Sequence, residues 1–162
     1  MTSTEFLRKV VVFQDLDDTS LETLVPLLQR KKFRAGQVIF READEADALY
    51  IVVEGRVVVS KHVLGDVDHV LTRFGPGDFF GEMGLFDLAP RSASAQAELH
   101  TILLGLERDI FHQLLNNHPQ MAARICYRMV AVFIQRLRAT NEQAREAVRW
   151  GLEATGYTAL ES

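Results

Sequence analysis

The sequence predicts an α+β fold: an antiparallel β-sandwich or roll between an N-terminal helical segment and a long C-terminal helix. Three observations carry this. Residues 35–106 fall into short runs rich in β-branched residues, separated by Gly-containing turns at the spacing of an antiparallel meander. Apolar residues take a helical period before that stretch and again after it. Beyond Pro119 no Gly or Pro interrupts the chain until Gly151, long enough for a rod of ~45 Å at ~1.5 Å per residue.

Residues 1–34 read as helical. Asp18, Thr19 or Ser20 caps a helix whose apolar positions are Leu21, Leu24, Val25, Leu27 and Leu28, and Pro26 bends or shortens it. The basic run Arg30-Lys31-Lys32-Phe33-Arg34 reads as a solvated turn into the first strand, with a nucleic-acid patch as the weaker alternative. Ala35-Gly36 then turns into a strand at 37–40. Runs at 49–53 and 56–63 flank Glu54-Gly55, a pair suited to a tight hairpin turn. Gly65-Asp66 turns before 69–74, and Gly75-Pro76-Gly77-Asp78 turns again. From Ser92 to Ala97 the pattern alternates, with Ala93, Ala95 and Ala97 on one face; residues 101–106 form the last strand.

Helical period returns at 109–117, where Ile110, Phe111, Leu114 and Leu115 share a face. Pro119 opens the long helix. It carries two apolar rows: Ala122, Ile125, Met129, Val132, Arg136 and Ala139 form one, and Ala123, Cys126, Val130, Phe133, Leu137, Thr140, Ala144 and Ala147 form a second at heptad spacing. One row can bury against the roll. The other calls for a second partner, most simply the same helix of another copy. The tail from Gly151 is expected to fray. The expected divisions are thus 1–34, a roll over 35–106, a hinge helix and long helix over 107–150, and a tail over 151–162.

Composition narrows the function classes. The 162 residues are 48% hydrophobic and 25% charged, with a formal net charge of −4. That composition is ordinary for a soluble globular chain, and the charge argues against non-specific binding to nucleic acid or anionic membranes. The N-terminus carries Glu5, Arg8 and Lys9 where a secretory signal needs an apolar stretch, and the longest apolar run, Met129 to Ile134, is too short to span a bilayer. With one cysteine, Cys126, no disulfide framework forms. A cytoplasmic protein is expected. His62, His69, His100, His112 and His118 lack metal-ligand spacing, a single Cys cannot hold an iron–sulfur cluster, and no nucleophile–base signature is visible. No enzymatic activity, metal or cofactor is expected.

The segment 79–93 reads Phe-Phe-Gly-Glu-Met-Gly-Leu-Phe-Asp-Leu-Ala-Pro-Arg-Ser-Ala. It resembles the phosphate-binding cassette of cyclic-nucleotide-binding domains, in which F-G-E, an apolar residue, a small residue and Leu are followed after a fixed gap by P-R, a small residue and Ala. Leu49 to Gly55 resembles that family's first hairpin, and Gly75 to Glu82 its approach to the cassette; the likeness covers about residues 10–140. It implies an eight-stranded β-roll of the double-stranded jelly-roll type that binds cAMP or cGMP without catalysis.

What the resemblance implies for the site agrees with the chemistry of a 3′,5′-cyclic nucleotide, a monoanion with a free 2′-hydroxyl. Arg91 supplies a permanent charge and a planar pair of donors to the phosphate. Gly81 and Gly84 let the backbone approach at the start of a short helix, where the N–H groups of Glu82 and Met83 point at the anion. The Glu82 carboxylate accepts from the ribose 2′-hydroxyl, Ser92 adds a hydroxyl near the phosphate or a purine substituent, and Ala93 keeps the wall thin. Seen alone, Glu82 and Arg91 read as an ion pair tying two loops together; within the whole pattern they read as ligand groups. By the same resemblance Val59, Thr72 and Phe74 line the purine side. Arg136 either covers the base from the long helix or is a solvated surface arginine. Leu85 is expected to relay an inward movement of the cassette to the helices after residue 106.

Two departures stand out. Ala43 occupies a position where the family often has Gly. The bacterial catabolite-activator branch appends a winged helix-turn-helix after the long helix, and here 23 residues follow Ala139. The expectation is therefore a stand-alone, homodimeric sensor without direct DNA binding, acting on an unidentified downstream protein. A scaffold with a vestigial pocket, and a transcription regulator working through a separate DNA-binding partner, are the alternatives.

Overall fold

The computed structural model describes residues 3–156. Helices α1 (Ser3–Lys9) and α2 (Asp18–Leu24) open the chain, followed by β1 (Gln29–Phe33), β2 (Val38–Phe40), β3 (Ala48–Glu54), β4 (Val57–Leu64), β5 (Val67–Phe74) and β6 (Phe79–Phe80). Helix α3 (Met83–Phe86) interrupts the strands before β7 (Ser94–Ala97) and β8 (Thr101–Glu107); α4 (Arg108–Asn117) and α5 (Pro119–Ala154) close the described chain. By packing, one compact unit runs to Ile125 and a second begins at Cys126, so that α5 belongs to both.

The eight strands form two four-stranded antiparallel sheets, ordered β1-β8-β3-β6 and β2-β7-β4-β5. Consecutive strands therefore alternate between sheets over much of the chain, which makes the sandwich a roll. Between the sheets lies a core of Ala48, Tyr50, Val52, Val57, Phe80, Ala95 and Leu103. Leu49 and Ile51, at the intervening positions of β3, are fully buried as well, so this strand is sealed on both faces and reads as a continuous apolar run.

The small residues from Ser92 to the end of β7 behave as their alternation predicts: Ala93, Ala95 and Ala97 are buried, while Ser92 and Gln96 are exposed. Turn chemistry also agrees at 75–78, where the Asp78 N–H donates to the Gly75 carbonyl at 3.0 Å and the Gly75 N–H to the Asp78 carboxylate at 2.8 Å.

Five expectations need correction. Residues 29–33 are a strand, not part of a helical segment or a solvated turn. They form an edge of the first sheet against β8, and the charged side chains of Arg30 and Lys32 keep that edge polar. The cap of α2 is Asp17 rather than Asp18, Thr19 or Ser20. Its extended backbone lets the carboxylate accept the Ser20 N–H at 2.8 Å, and hydrogen bonding to the side chain of Ser20 and then to its backbone holds the Asp17 pKa below the usual value. As expected of Pro26, helix α2 is short: it stops at Leu24, and Pro26 sits in a single 3-10 turn over Val25–Leu27. On α4 only Phe111 and Leu114 are buried; Leu115 is exposed. Helix α5 continues through Gly151 to Ala154, where the i,i+4 pair Arg149–Glu153 (3.1 Å) spans the glycine and offsets part of its cost of about 1 kcal/mol. Residues 157–162 of the expected tail lie outside the described ones.

The fifth correction concerns Glu54-Gly55. No hairpin forms there, because β3 and β4 lie in different sheets. The pair makes the corner at which the chain crosses the roll. Gly55 takes φ +91°, and a β-carbon on it would stand 2.3 Å from the His100 carbonyl oxygen and 2.8 Å from the Thr101 Cα. Both the left-handed backbone and the backbone wall exclude a side chain. The Gly55→Ala variant is therefore expected to lose at least about 2 kcal/mol of stability, read as a lower urea midpoint with an unchanged m-value.

Candidate functional site

The site begins where β6 ends. Phe79 and Phe80 are buried and paired with Ile51 and Tyr50, which fixes the chain's exit from the sheet. Gly81 then turns with φ +73°. A β-carbon here would stand 2.7 Å from Nη1 of Arg91 and 3.2 Å from the Ala48 carbonyl oxygen. Glu82 already has helical dihedrals and precedes the single turn of α3. The turn closes by Gly84 N–H to Gly81 O (3.2 Å), Leu85 N–H to Glu82 O (3.1 Å) and Asp87 N–H to Met83 O (2.9 Å). Gly84 lies flat on Ala46, with room for a β-carbon only at 3.2 Å, and Leu85 is buried. Met83 turns its side chain to solvent, so its contribution to a ligand comes from its backbone.

Arg91 returns to this turn from the far end of the cassette. Its N–H donates to Asp44 O (2.8 Å) and its carbonyl accepts from Ala43 N–H (2.9 Å), a two-way backbone bridge to the loop before β3. That loop needs Ala43 at φ +71°, the only non-glycine among the described residues with positive φ. The position where the family often has Gly thus keeps the left-handed geometry at a cost of about 1–2 kcal/mol. Asp44 stabilises the turn by accepting the Arg41 N–H at 2.8 Å, and Ser94 Oγ accepts the Glu42 N–H at 2.8 Å.

Only 7% of Arg91 is exposed. Nη1 donates to Gly81 O (2.9 Å), Nη2 donates to Ala48 O (2.8 Å), and Nη2 stands 3.6 Å from the Asp47 carboxylate. The guanidinium carbon lies 4.1 Å from the centre of the Phe40 ring. Its Nε is buried without an acceptor. Burial lowers the guanidinium's pKa from its ordinary value, while Tyr50, Asp47 and Glu82 oppose that shift. Glu82 is itself only 8% exposed. The first unit therefore buries a cation and a carboxylate beside one glycine turn, with one strong donor still wanting an oxygen.

The structure gathers Gly81, Glu82, Gly84 and Arg91 at this turn, with Met83 on the same helix. Ala93 is buried and Ser92 exposed on the chain leaving it. Val59 and Thr72 are direct cross-strand partners, two pairs along from Val57 and Phe74 and so on the same face. Val59 and Phe74 pack on the core, and Thr72 is exposed, so the inner face of the second sheet opens to solvent at Thr72. Arg136 lies in the second unit, half-buried on α5, where its carbonyl accepts the Thr140 hydroxyl at 2.9 Å. The sequence reading missed Phe40, Asp47 and the Ala48 carbonyl as partners of Arg91. Only the acidic run Glu42, Asp44, Glu45, Asp47 offered a signal for them.

Comparison with known proteins follows the same lines. The family description "Cyclic nucleotide-binding domain" matches residues 30–118, more than half of the 162. A CRP-like cAMP-activated global transcriptional regulator from Mycobacterium tuberculosis is 28% identical over 89% of this chain and 62% of its own. A cAMP-dependent protein kinase regulatory subunit from Dictyostelium discoideum is 36% identical over 74% of this chain and 38% of its own. Among solved structures, the Thermus thermophilus catabolite activator protein superposes with a TM-score of 0.75 at 31% identity, covering 85% of this chain and 62% of that one. The chain thus spans about 62% of the length of the Mycobacterium regulator it matches.

Two exchanges of opposite sign test the local geometry. Ala43→Gly relieves the left-handed strain and is expected to raise stability by up to about 1 kcal/mol. Gly81→Ala forces Arg91 off its carbonyl and is expected to lower stability by about 1–3 kcal/mol. Thermal unfolding of the two variants beside the parent checks both.

Proposed function

The chain belongs to the cyclic nucleotide-binding domain family, and from that membership we propose that it is a non-catalytic sensor of a 3′,5′-cyclic purine nucleotide, cAMP or cGMP. The observation that carries this reading is the buried Arg91, whose Nε lacks an acceptor next to the Gly81-Glu82 turn. A cyclic phosphodiester is a single negative charge with exposed oxygens, and a guanidinium gives such a group two parallel donors. Gly81 and Gly84 let a ligand come close to the backbone at the start of α3, where the N–H groups of Glu82 and Met83 are the further donors this reading assigns to the anion. The Glu82 carboxylate then accepts the 2′-hydroxyl, and a 2′-deoxy analogue would leave it buried without that bond. Ser92 adds a hydroxyl near the phosphate or a purine substituent, Ala93 keeps the wall thin, and Val59, Thr72 and Phe74 meet the purine.

In the proposed cycle, ligand draws the cassette inward and Leu85 carries the movement to α4, biasing two packings of a homodimer. Support for the dimer comes from the second unit taken by itself. Val130 and Leu137, one heptad apart on α5, are 52% and 60% exposed, and an unpartnered heptad seam is what a second copy of the same helix would cover. The setting of this activity would be the cytoplasm; no helix among the described residues is long and apolar enough to cross a membrane.

A thermal-shift titration with cAMP and with cGMP tests the ligand. At 100 times the dissociation constant, the bound nucleotide stabilises the protein by about 2.7 kcal/mol, and Arg91→Ala is expected to cost about 2–5 kcal/mol of binding. A melting point that neither nucleotide raises would favour the scaffold alternative. Sedimentation velocity tests the assembly: Leu137→Glu is expected to turn a dimeric boundary into a monomeric one, and a parent protein that sediments as a monomer overturns the dimer.

A further inference from the structure

Phe40 stands at the end of β2, where the pairing with β7 is irregular. Val38 faces Gln96 and Phe40 faces Ala95, so two steps along β2 match one along β7. Such a bulge re-aims side chains, and here the consecutive residues Ile39 and Phe40 both pack on the core instead of alternating. The ring of Phe40 thereby comes to lie 4.1 Å from the guanidinium carbon of Arg91. Tyr50 and Phe80 hold the ring in turn, with centroids 6.1 and 6.0 Å away, and Phe80 stacks on Phe74 at 5.5 Å.

The hydrogen bonds of Arg91 leave one freedom unrestrained. Carbonyls at Gly81 and Ala48 anchor Nη1 and Nη2 at 2.9 and 2.8 Å, but a guanidinium hinged on two acceptors can still rock about the line between them. An aromatic face beneath the cation blocks that rocking and attracts the charge, most strongly where water is excluded. We propose that Phe40 is a positioning residue for phosphate recognition: its ring sets the plane in which Arg91 presents its free Nε to a cyclic phosphodiester. This role rests on the reading of the cassette as a cyclic-nucleotide site.

The test separates shape from charge. Pentafluorophenylalanine placed at position 40 keeps nearly the same volume but reverses the ring quadrupole. Calorimetric titration with cAMP and cGMP is expected to show binding weakened about tenfold for this variant and for Phe40→Leu, while Phe40→Tyr stays within about twofold of the parent. In an Arg91→Gln background, Phe40→Leu should cost less than about twofold, because the ring then has no cation to orient. Parent-like affinity with the fluorinated ring, or equal losses with and without Arg91, overturns the role of Phe40 and leaves the nucleotide site standing. A parent protein that binds neither nucleotide overturns the site and this role together.

Discussion

A positive charge held in the interior of a β-roll is the constraint from which the rest of the site follows. Removing a guanidinium from water is costly unless its donors find acceptors, and only 7% of Arg91 remains exposed. The fold answers with two backbone carbonyls, a nearby carboxylate and an aromatic face. Each answer imposes a demand elsewhere. Gly81 must lack a side chain so that its carbonyl can reach Nη1. Ala43 must accept a left-handed backbone so that its loop can bridge to Arg91. β2 must bulge so that Phe40 points inward. Because the donors are not all satisfied internally, the same arrangement is left attractive to an anion.

Legibility in the sequence followed the range of the interactions involved. The alternation Ala93, Ala95, Ala97 and the turn Gly75–Asp78 depend on residues within a few positions of each other, and both were readable. The cassette was readable because its residues form a continuous segment with fixed spacing, so Gly81, Glu82 and Arg91 came together as a pattern before they came together in space. The Ala48 carbonyl and Phe40 reach Arg91 from 43 and 51 positions away, the first through an atom every residue possesses. No local pattern distinguishes such partners, and only the fold selects them.

The errors share a related cause. Gln29–Phe33 carries three basic residues in five, which local composition assigns to solvent; an edge strand tolerates them because one flank of its backbone stays unpaired. Glu54-Gly55 has the residues of a hairpin turn, yet the same residues serve a corner between sheets, since both need a backbone that bends sharply. Distinguishing the two requires knowing that β3 pairs with β6 and β8 while β4 pairs with β5 and β7, information carried by registers far along the chain. At Gly151 the helix runs on through its weakest residue, and the Arg149–Glu153 pair that spans it offsets part of the cost.

The hairpin joining β4 and β5 stands in contrast to the crowded corner at Gly55. At its tip, Leu64 and Val67 are mostly exposed, and a side chain added to Gly65 would meet nothing within 4 Å. Chain length is free to drift at this tip: extra residues spliced between Leu64 and Val67 would enlarge a solvent-borne loop at small entropic expense. A reporter grafted at that spot would ride on a strand pair whose opposite end holds Val59, Thr72 and Phe74.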